Sequence, residues 1–207
     1  MLLISHFLTM SVHFDLVGRP YEKNVAVKDV IQAGYGKKSS YNNLKAAGYI
    51  KDLTLSNHNN QIYYNPSTKH LIHNVSGTHN VSDVITDAYL AFGKLKSTKR
   101  YKSSKDVLKK AKIKYGPDSK IDIAGHSLGG AIAQYIGSKN DQVTTVNKGA
   151  TLGQKTRKNE RAFRIENDPI SLLAAGSKRV QTLKNASNDK TLLGAHSSNA
   201  LPSSITF

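Results

Sequence analysis

Ile121-Asp122-Ile123-Ala124-Gly125-His126-Ser127-Leu128-Gly129-Gly130-Ala131-Ile132-Ala133 is the stretch on which the reading of this chain turns. Ile121–Ala124 is a short apolar run suited to a buried strand, and Leu128–Ser138 has the small and apolar residues of a closely packed helix. Between them stands G-x-S-x-G, a serine on a tight strand-to-helix turn. Side chains at Gly125 and Gly129 would collide with the strand or the helix. The turn lifts the Ser127 hydroxyl to the end of a sheet, where the N-terminus of the next helix favours developing negative charge. Ser127 is therefore the candidate nucleophile.

The flanking pattern supports such a turn. Upstream, Gln61–Tyr64 and Leu71–Val75 flank Asn65-Pro66-Ser67-Thr68 and predict a hairpin of two short strands. Val81, Val84, Ile85, Ala88, Tyr89 and Phe92 recur at helical spacing. A second helix is expected over about Lys105–Tyr115, ended by Gly116-Pro117. Downstream, Val143–Val146 and Ala162–Glu166 are further strand candidates. Strands alternating with helices predict an α/β fold, one domain with a mostly parallel central sheet and helices on both faces, and the G-x-S-x-G turn makes it one of the α/β-hydrolase kind. Residues 1–60 read as a helical lead-in packed on that domain, with helix formers over Val25–Ala33 and Tyr41–Ala47, and residues 61–207 as its core. The C-terminal segment, rich in Asn, Ser and Leu, predicts no particular element.

A serine hydroxyl is a weak nucleophile and needs a base, which needs an orienting acid. In this fold the order along the chain is serine, acid, histidine. Of the eight histidines only His196 follows Ser127, which makes it the candidate base. Five acids lie between them: Asp141, Glu160, Glu166, Asp168 and Asp189. Asp168 is the best placed, in a turn past the Ala162–Glu166 strand and before Pro169. Glu166 is the rival, although within a strand it would point to one face, and Asp141 comes too soon. An oxyanion hole needs the backbone N–H after the nucleophile, at Leu128, and a second donor from the loop after an earlier strand. Val75-Ser76-Gly77-Thr78 is placed for that, and Thr78 offers both an N–H and a hydroxyl. The same Gly-Thr turn also suits a cap on the helix that follows.

Three segments resemble the class 3 lipases, the family of the fungal triacylglycerol lipases and many phospholipases. Gly125–Ala131 matches that family's elbow at every position. Val75–Thr78 with Asp83-Val84-Ile85-Thr86-Asp87 is similar to its oxyanion strand and following helix, and Glu166-Asn167-Asp168-Pro169-Ile170 to the segment bearing its triad acid. The likeness spans roughly residues 60–200, and the elbow is its most specific part. It implies a carboxylic-ester hydrolase, a lipase or phospholipase working through an acyl-enzyme. Ser127, Asp168 and His196 would be its triad and Thr78 and Leu128 its oxyanion pair. The chain departs from the family in having Val75-Ser76 before the Gly-Thr where Phe-Arg is usual, in Val84 where Trp is frequent, and in a short segment between oxyanion loop and elbow. Val81–Phe92 stands where the family often carries a lid, although its apolar stripe equally suits a core-facing helix.

Composition narrows the alternatives. With no cysteine, disulfides, thiolate nucleophiles and Cys-based zinc sites are excluded. The histidines are scattered, and neither a metal nor a cofactor is expected. No apolar run is long enough to span a bilayer. Met1–Leu8 is short, is broken by His6 and lacks a basic start or a small-residue cleavage site; it reads as a first strand or a leader, with Met10 as an alternative start. A soluble chain, cytoplasmic or virion-associated, is the expectation. The net charge of +16 draws a protein towards phosphates. Ten lysines and arginines from Lys94 to Lys114 face only Asp106, which makes an anionic membrane surface a candidate partner beside the lipid or other ester substrate. A solvated helix face explains such a stretch as well. No zinc-finger pattern, aromatic RNA-binding signature or Trp accompanies the charge, so nucleic acid is not expected as a partner. The competing function is a catalytically inactive hydrolase-like domain serving as a binding or structural protein. Nothing in the sequence assigns an oligomeric state.

Overall fold

Seven strands, among the residues described by the computed structural model (24–79, 94–149, 155–171 and 179–207), form one sheet in chain order. They are β1 (Ile50–Lys51), β2 (Asn60–Asn65), β3 (His70–Val75), β4 (Lys120–His126), β5 (Gln142–Val146), β6 (Glu160–Ile165) and β7 (Val180–Leu183). The Met1–Leu8 stretch and the helix or lid expected over Val81–Phe92 lie outside the described residues. β1, β2 and β3 run antiparallel, with Tyr64 opposite Leu71 and Asn60 opposite Val75, as the hairpin pattern predicts. From β3 to β7 every pairing is parallel, which gives the mostly parallel sheet expected from the sequence and is consistent with an α/β-hydrolase fold.

A parallel sheet that steps in one direction, with connections of one hand, puts its crossover helices on one face. That face carries α3 (Lys99–Tyr115) and α4 (Leu128–Ile136). Strand alternation points Leu71, Ile123 and Val143 at them, to pack with Val107, Leu108, Ala131 and Ile132. The opposite face presents Tyr63, Ile72, Ala124, Val146, Phe163 and Ile165, which no crossover helix among the described residues covers. Helices α1 (Val27–Gly34) and α2 (Lys38–Ala46) do, through Val27, Val30, Ile31 and Leu44.

The C-terminal tail completes that second layer. It forms a one-turn helix, α5 (Leu192–His196), then a 3-10 turn over Ser198–Ala200. It ends by pairing with the start of α1: Ala26 bridges Thr206, the Val27 N–H donates to the Ile205 carbonyl at 2.9 Å and the Phe207 N–H to the Val25 carbonyl at 3.1 Å. Ala195, Ala200 and Leu201 are buried against Val27 and Ile31. The tail thus returns across the molecule to the end of the sheet where β4 stops.

α3 begins six residues before the point its apolar pattern marks. Thr98 caps it, its hydroxyl accepting from the Tyr101 N–H at 3.1 Å, but Lys99, Arg100, Lys102 and Ser103 give its first turn no apolar signal. β6 stops at Ile165, which leaves Glu166 in the following turn rather than in the strand.

Candidate active site

Ser127 sits between the last residue of β4 and the first of α4, at φ 55° and ψ −128°. A non-glycine residue there is strained, at a cost on the order of 1–3 kcal/mol, and persists only where its surroundings hold it. Here the Ser127 N–H donates to the Val146 carbonyl at 3.1 Å, while its carbonyl accepts from Ala131 and Gly149. The two glycines are needed for close approach. A Cβ at Gly125 would lie 2.4 Å from the Gly129 carbonyl oxygen, and one at Gly129 would lie 2.1 Å from that of Val75.

His196, the last residue of α5, places Nε2 2.9 Å from the Ser127 Oγ and Nδ1 2.8 Å from Asp168 Oδ1. All three side chains are buried. Because the carboxylate can only accept, His196 carries its hydrogen on Nδ1 and presents a bare Nε2 to the serine hydroxyl. Asp168 lies in the turn after β6, its Oδ2 accepting from the Ser171 N–H at 3.0 Å and its Oδ1 from the Ile170 N–H at 3.3 Å. Burial pushes the Asp168 carboxyl up, but the His196 contact and these donors outweigh it and hold the group below its ordinary value.

The other acids are engaged elsewhere. Glu166 accepts from the Asn185 N–H at 3.2 Å, Asp141 is paired with Lys112, and Asp189 accepts from Thr191 beside the start of α5. Glu160 is buried with Lys148 at 2.7 Å. Thr78 is half-buried on the wall of a cavity of about 120 Å³ that also touches Ser127, His79, Leu193 and His196. Leu128 opens α4, so its N–H belongs to a helix N-terminus beside Ser127. From α3, Arg100 donates to the carbonyls of Ser76 and Gly77, the latter at 2.8 Å.

Two supporting residues escape a reading of the sequence. Asn147, fully buried just past β5, has φ 45°, a conformation asparagine tolerates. Its Nδ2 donates to the Ala195 carbonyl at 2.9 Å and the His196 carbonyl at 3.3 Å, and its Oδ1 accepts from the Ile165 N–H at 2.7 Å. One amide therefore ties the helix bearing His196 to the strand leading into Asp168. A lone asparagine after an apolar strand was the only available signal. Tyr35, after α1, reaches the elbow residue His126 and has no local signature at all. Among the described residues, no group of three or more His, Asp or Glu is arranged to hold a metal ion, and no helix is long and apolar enough to cross a membrane.

The family described as lipase (class 3) matches residues 54–144, a stretch that includes Val75–Thr78 and the turn at Ser127. No curated protein matches the chain. Among solved structures it is similar to the Lip2 lipase from Yarrowia lipolytica, at 15% identity over 61% of this chain and 60% of that one, with a TM-score of 0.41. It is also similar to a mutant MDLA from Penicillium cyclopium, at 17% identity over 81% of this chain and 78% of that one, TM-score 0.47. A structure described as that of fungal lipases aligns at 14% identity over 81% and 78% of the two chains, TM-score 0.43. The chain thus spans less than two thirds of the Lip2 chain.

Proposed function

We propose that this chain, class 3 lipase-like over residues 54–144, is a carboxylic-ester hydrolase acting on lipid esters through an acyl-enzyme on Ser127. The observation that carries the reading is the buried chain from Ser127 Oγ to His196 Nε2 at 2.9 Å and from His196 Nδ1 to Asp168 at 2.8 Å. In this mechanism His196 takes the hydroxyl proton as Ser127 Oγ attacks the ester carbonyl carbon. The resulting oxyanion accepts hydrogen bonds from the Leu128 N–H and from Thr78. The C–O bond to the alcohol then breaks, with the proton passing from His196 to the leaving oxygen. Water repeats the sequence on the acyl-enzyme: His196 removes its proton, the carboxylic acid departs, and the proton returns to Ser127. Asp168 keeps the imidazole in the required tautomer and stabilises the imidazolium that forms twice per cycle.

The substrate class rests on the family match and on charge. Lys102, Lys105 and Lys109 are exposed on α3 and form no ion pair among the described residues. Each lysine close to an anionic lipid surface contributes about 1 kcal/mol, so phospholipid membranes suit this protein better than neutral oil. The deciding experiment is hydrolysis of short- and long-chain acyl esters and of phospholipids by wild type and Ser127→Ala, with fluorophosphonate labelling of both. Activity and labelling confined to the wild type are expected. Hydrolysis that survives in Ser127→Ala refutes the mechanism, and an unlabelled wild type points to the inactive, binding alternative.

A further inference from the structure

Tyr35 follows α1, far along the chain from the serine, yet its hydroxyl lies between the oxyanion loop and the elbow. Its Oη is 2.9 Å from the Gly77 nitrogen and 2.8 Å from His126 Nδ1, and His126 Nε2 is 2.7 Å from the carbonyl oxygen of His196. The polarity of this chain is set at both ends. An amide N–H only donates and a carbonyl only accepts. Gly77 therefore donates to the Tyr35 oxygen, and His126 carries its hydrogen on Nε2 and donates it to His196. That leaves Nδ1 of a neutral His126 bare, so Tyr35 donates its own proton there. Each N–H or O–H in the series donates once, and all point the same way. The fit at the loop is close: a Cβ at position 77 would lie 2.3 Å from the Tyr35 Oη, so only glycine lets the phenol in.

Resting on the assignment of Ser127 as nucleophile and His196 as base, we propose that Tyr35 and His126 are positioning residues that tie the oxyanion loop to the backbone of the base. The polar atoms of both are directed into this chain, so they act through Gly77 and His196. Any drift of the Gly77 loop away from the elbow, or of the His196 carbonyl away from β4, breaks a bond in the series. The oxyanion donors and Nε2 are thereby held to a single geometry around Ser127. A neutral ring at position 126 suits this task. The rings of His126 and His196 are 5.0 Å apart, and a second cation there would oppose the imidazolium that His196 must become. Burial, reinforced by the charge of His196, pushes the His126 imidazole down to about 3 and keeps it neutral.

Tyr35→Phe removes the hydroxyl and keeps the ring. With turnover of a soluble short-chain ester normalised to sites titrated by fluorophosphonate, kcat should fall about a hundredfold, the scale of a 1 Å misplacement, with KM nearly unchanged. His126→Gln keeps an amide donor for the His196 carbonyl and abandons Tyr35, whereas His126→Asn does the reverse. Each breaks the chain once, so the double variant Tyr35→Phe/His126→Gln should be no slower than the slower single variant. Losses that multiply in the double variant, or single variants with wild-type kcat per titrated site, overturn the proposal. A wild type that neither hydrolyses esters nor labels at Ser127 would defeat the hydrolase reading instead. The relay is then judged by imidazole 15N resonances of the intact protein. His126 must appear as the Nε2–H tautomer with a hydrogen-bonded Nδ1 that Tyr35→Phe shifts. A Nδ1–H tautomer, or no shift, overturns the relay.

Discussion

Lowering the pH from about 7.5 to about 5 should remove several kcal/mol of stability through two buried histidines. His73, in β3, is fully buried with Nε2 3.0 Å from Asn60 Oδ1, and burial pushes its imidazole down to about 3. His126 is held at about 3 as well, by burial first and then by His196. Both have an ordinary value of 6.5 in the unfolded chain. Between these limits the unfolded state binds one more proton at each position, so stability rises with pH across the window. The contribution is complete above 6.5 and is lost progressively as the pH falls towards 3. At about 1.4 kcal/mol per pH unit, a fall to pH 5 costs about 2 kcal/mol per histidine and about 4 kcal/mol for the pair. That is a large part of the roughly 5–15 kcal/mol a domain typically has. The assay is urea unfolding at the two pH values for wild type and His73→Gln, whose amide still donates towards Asn60 but does not titrate. The variant should lose about half as much. A wild-type change below about 1 kcal/mol, or a variant with the wild-type pH dependence, refutes the reasoning.

Asp168→Asn should preserve the fold but favour the wrong tautomer of His196, lowering kcat by about ten-thousandfold; a tenfold effect or less in a steady-state ester assay would remove Asp168 from the mechanism. Asn147→Gly keeps the positive φ without strain and deletes the amide, leaving the Ile165 N–H and the Ala195 carbonyl without it. A loss of about 2–4 kcal/mol in urea unfolding is expected, together with slower fluorophosphonate labelling per folded molecule; unchanged labelling would make Asn147 purely structural. Lys102→Glu, Lys105→Glu and Lys109→Glu combined should abolish sedimentation with phosphatidylserine vesicles at low salt, as should high salt on the wild type. Binding that ignores salt would exclude docking through α3.

The elbow and the core strands were legible because two constraints coincide there. A buried strand must be apolar, and the turn must be small on both sides of Ser127. The edges were not. β7 is Val180-Gln181-Thr182-Leu183 with its middle residues exposed, so no apolar run marks it, and β1 is only two residues long. Glu166 rivalled Asp168 in the sequence because one residue decides which carboxyl leaves the strand; β6 ends at Ile165, and the turn carries Asp168 back to His196. Chain order singled out His196, and the other histidines within the core have other partners. His70 joins Tyr49 at 2.6 Å and Asp122 at 2.5 Å, His73 joins Asn60, and His126 joins Tyr35. His70–Asp122 shows that a histidine–carboxylate pair alone does not identify a base. What separates the two pairs is the third group, a phenol for His70 and the hydroxyl on the strained turn for His196.

The tail shows how the sheet's topology reaches the chemistry. Because β3 to β7 advance in one direction, the crossover helices α3 and α4 fall on one face, and among the described residues the other is covered by segments from outside the crossovers. Those segments are α1, α2 and the C-terminal tail, and α1 and the tail hold each other. Gln32 donates to the Asn199 side chain at 2.9 Å, Lys28 to the Asn199 carbonyl at 3.1 Å, and the chain ends pair through Ala26 and Thr206. α1 therefore fixes the tail that delivers His196 and, through Tyr35, touches the loop that delivers Thr78. Substitutions at the α1–tail contact, such as Gln32→Ala, should then lower turnover per titrated site even though Gln32 touches none of the three residues around Ser127. A Gln32→Ala protein that loses stability with wild-type turnover per site would show that α1 serves only to cover the sheet.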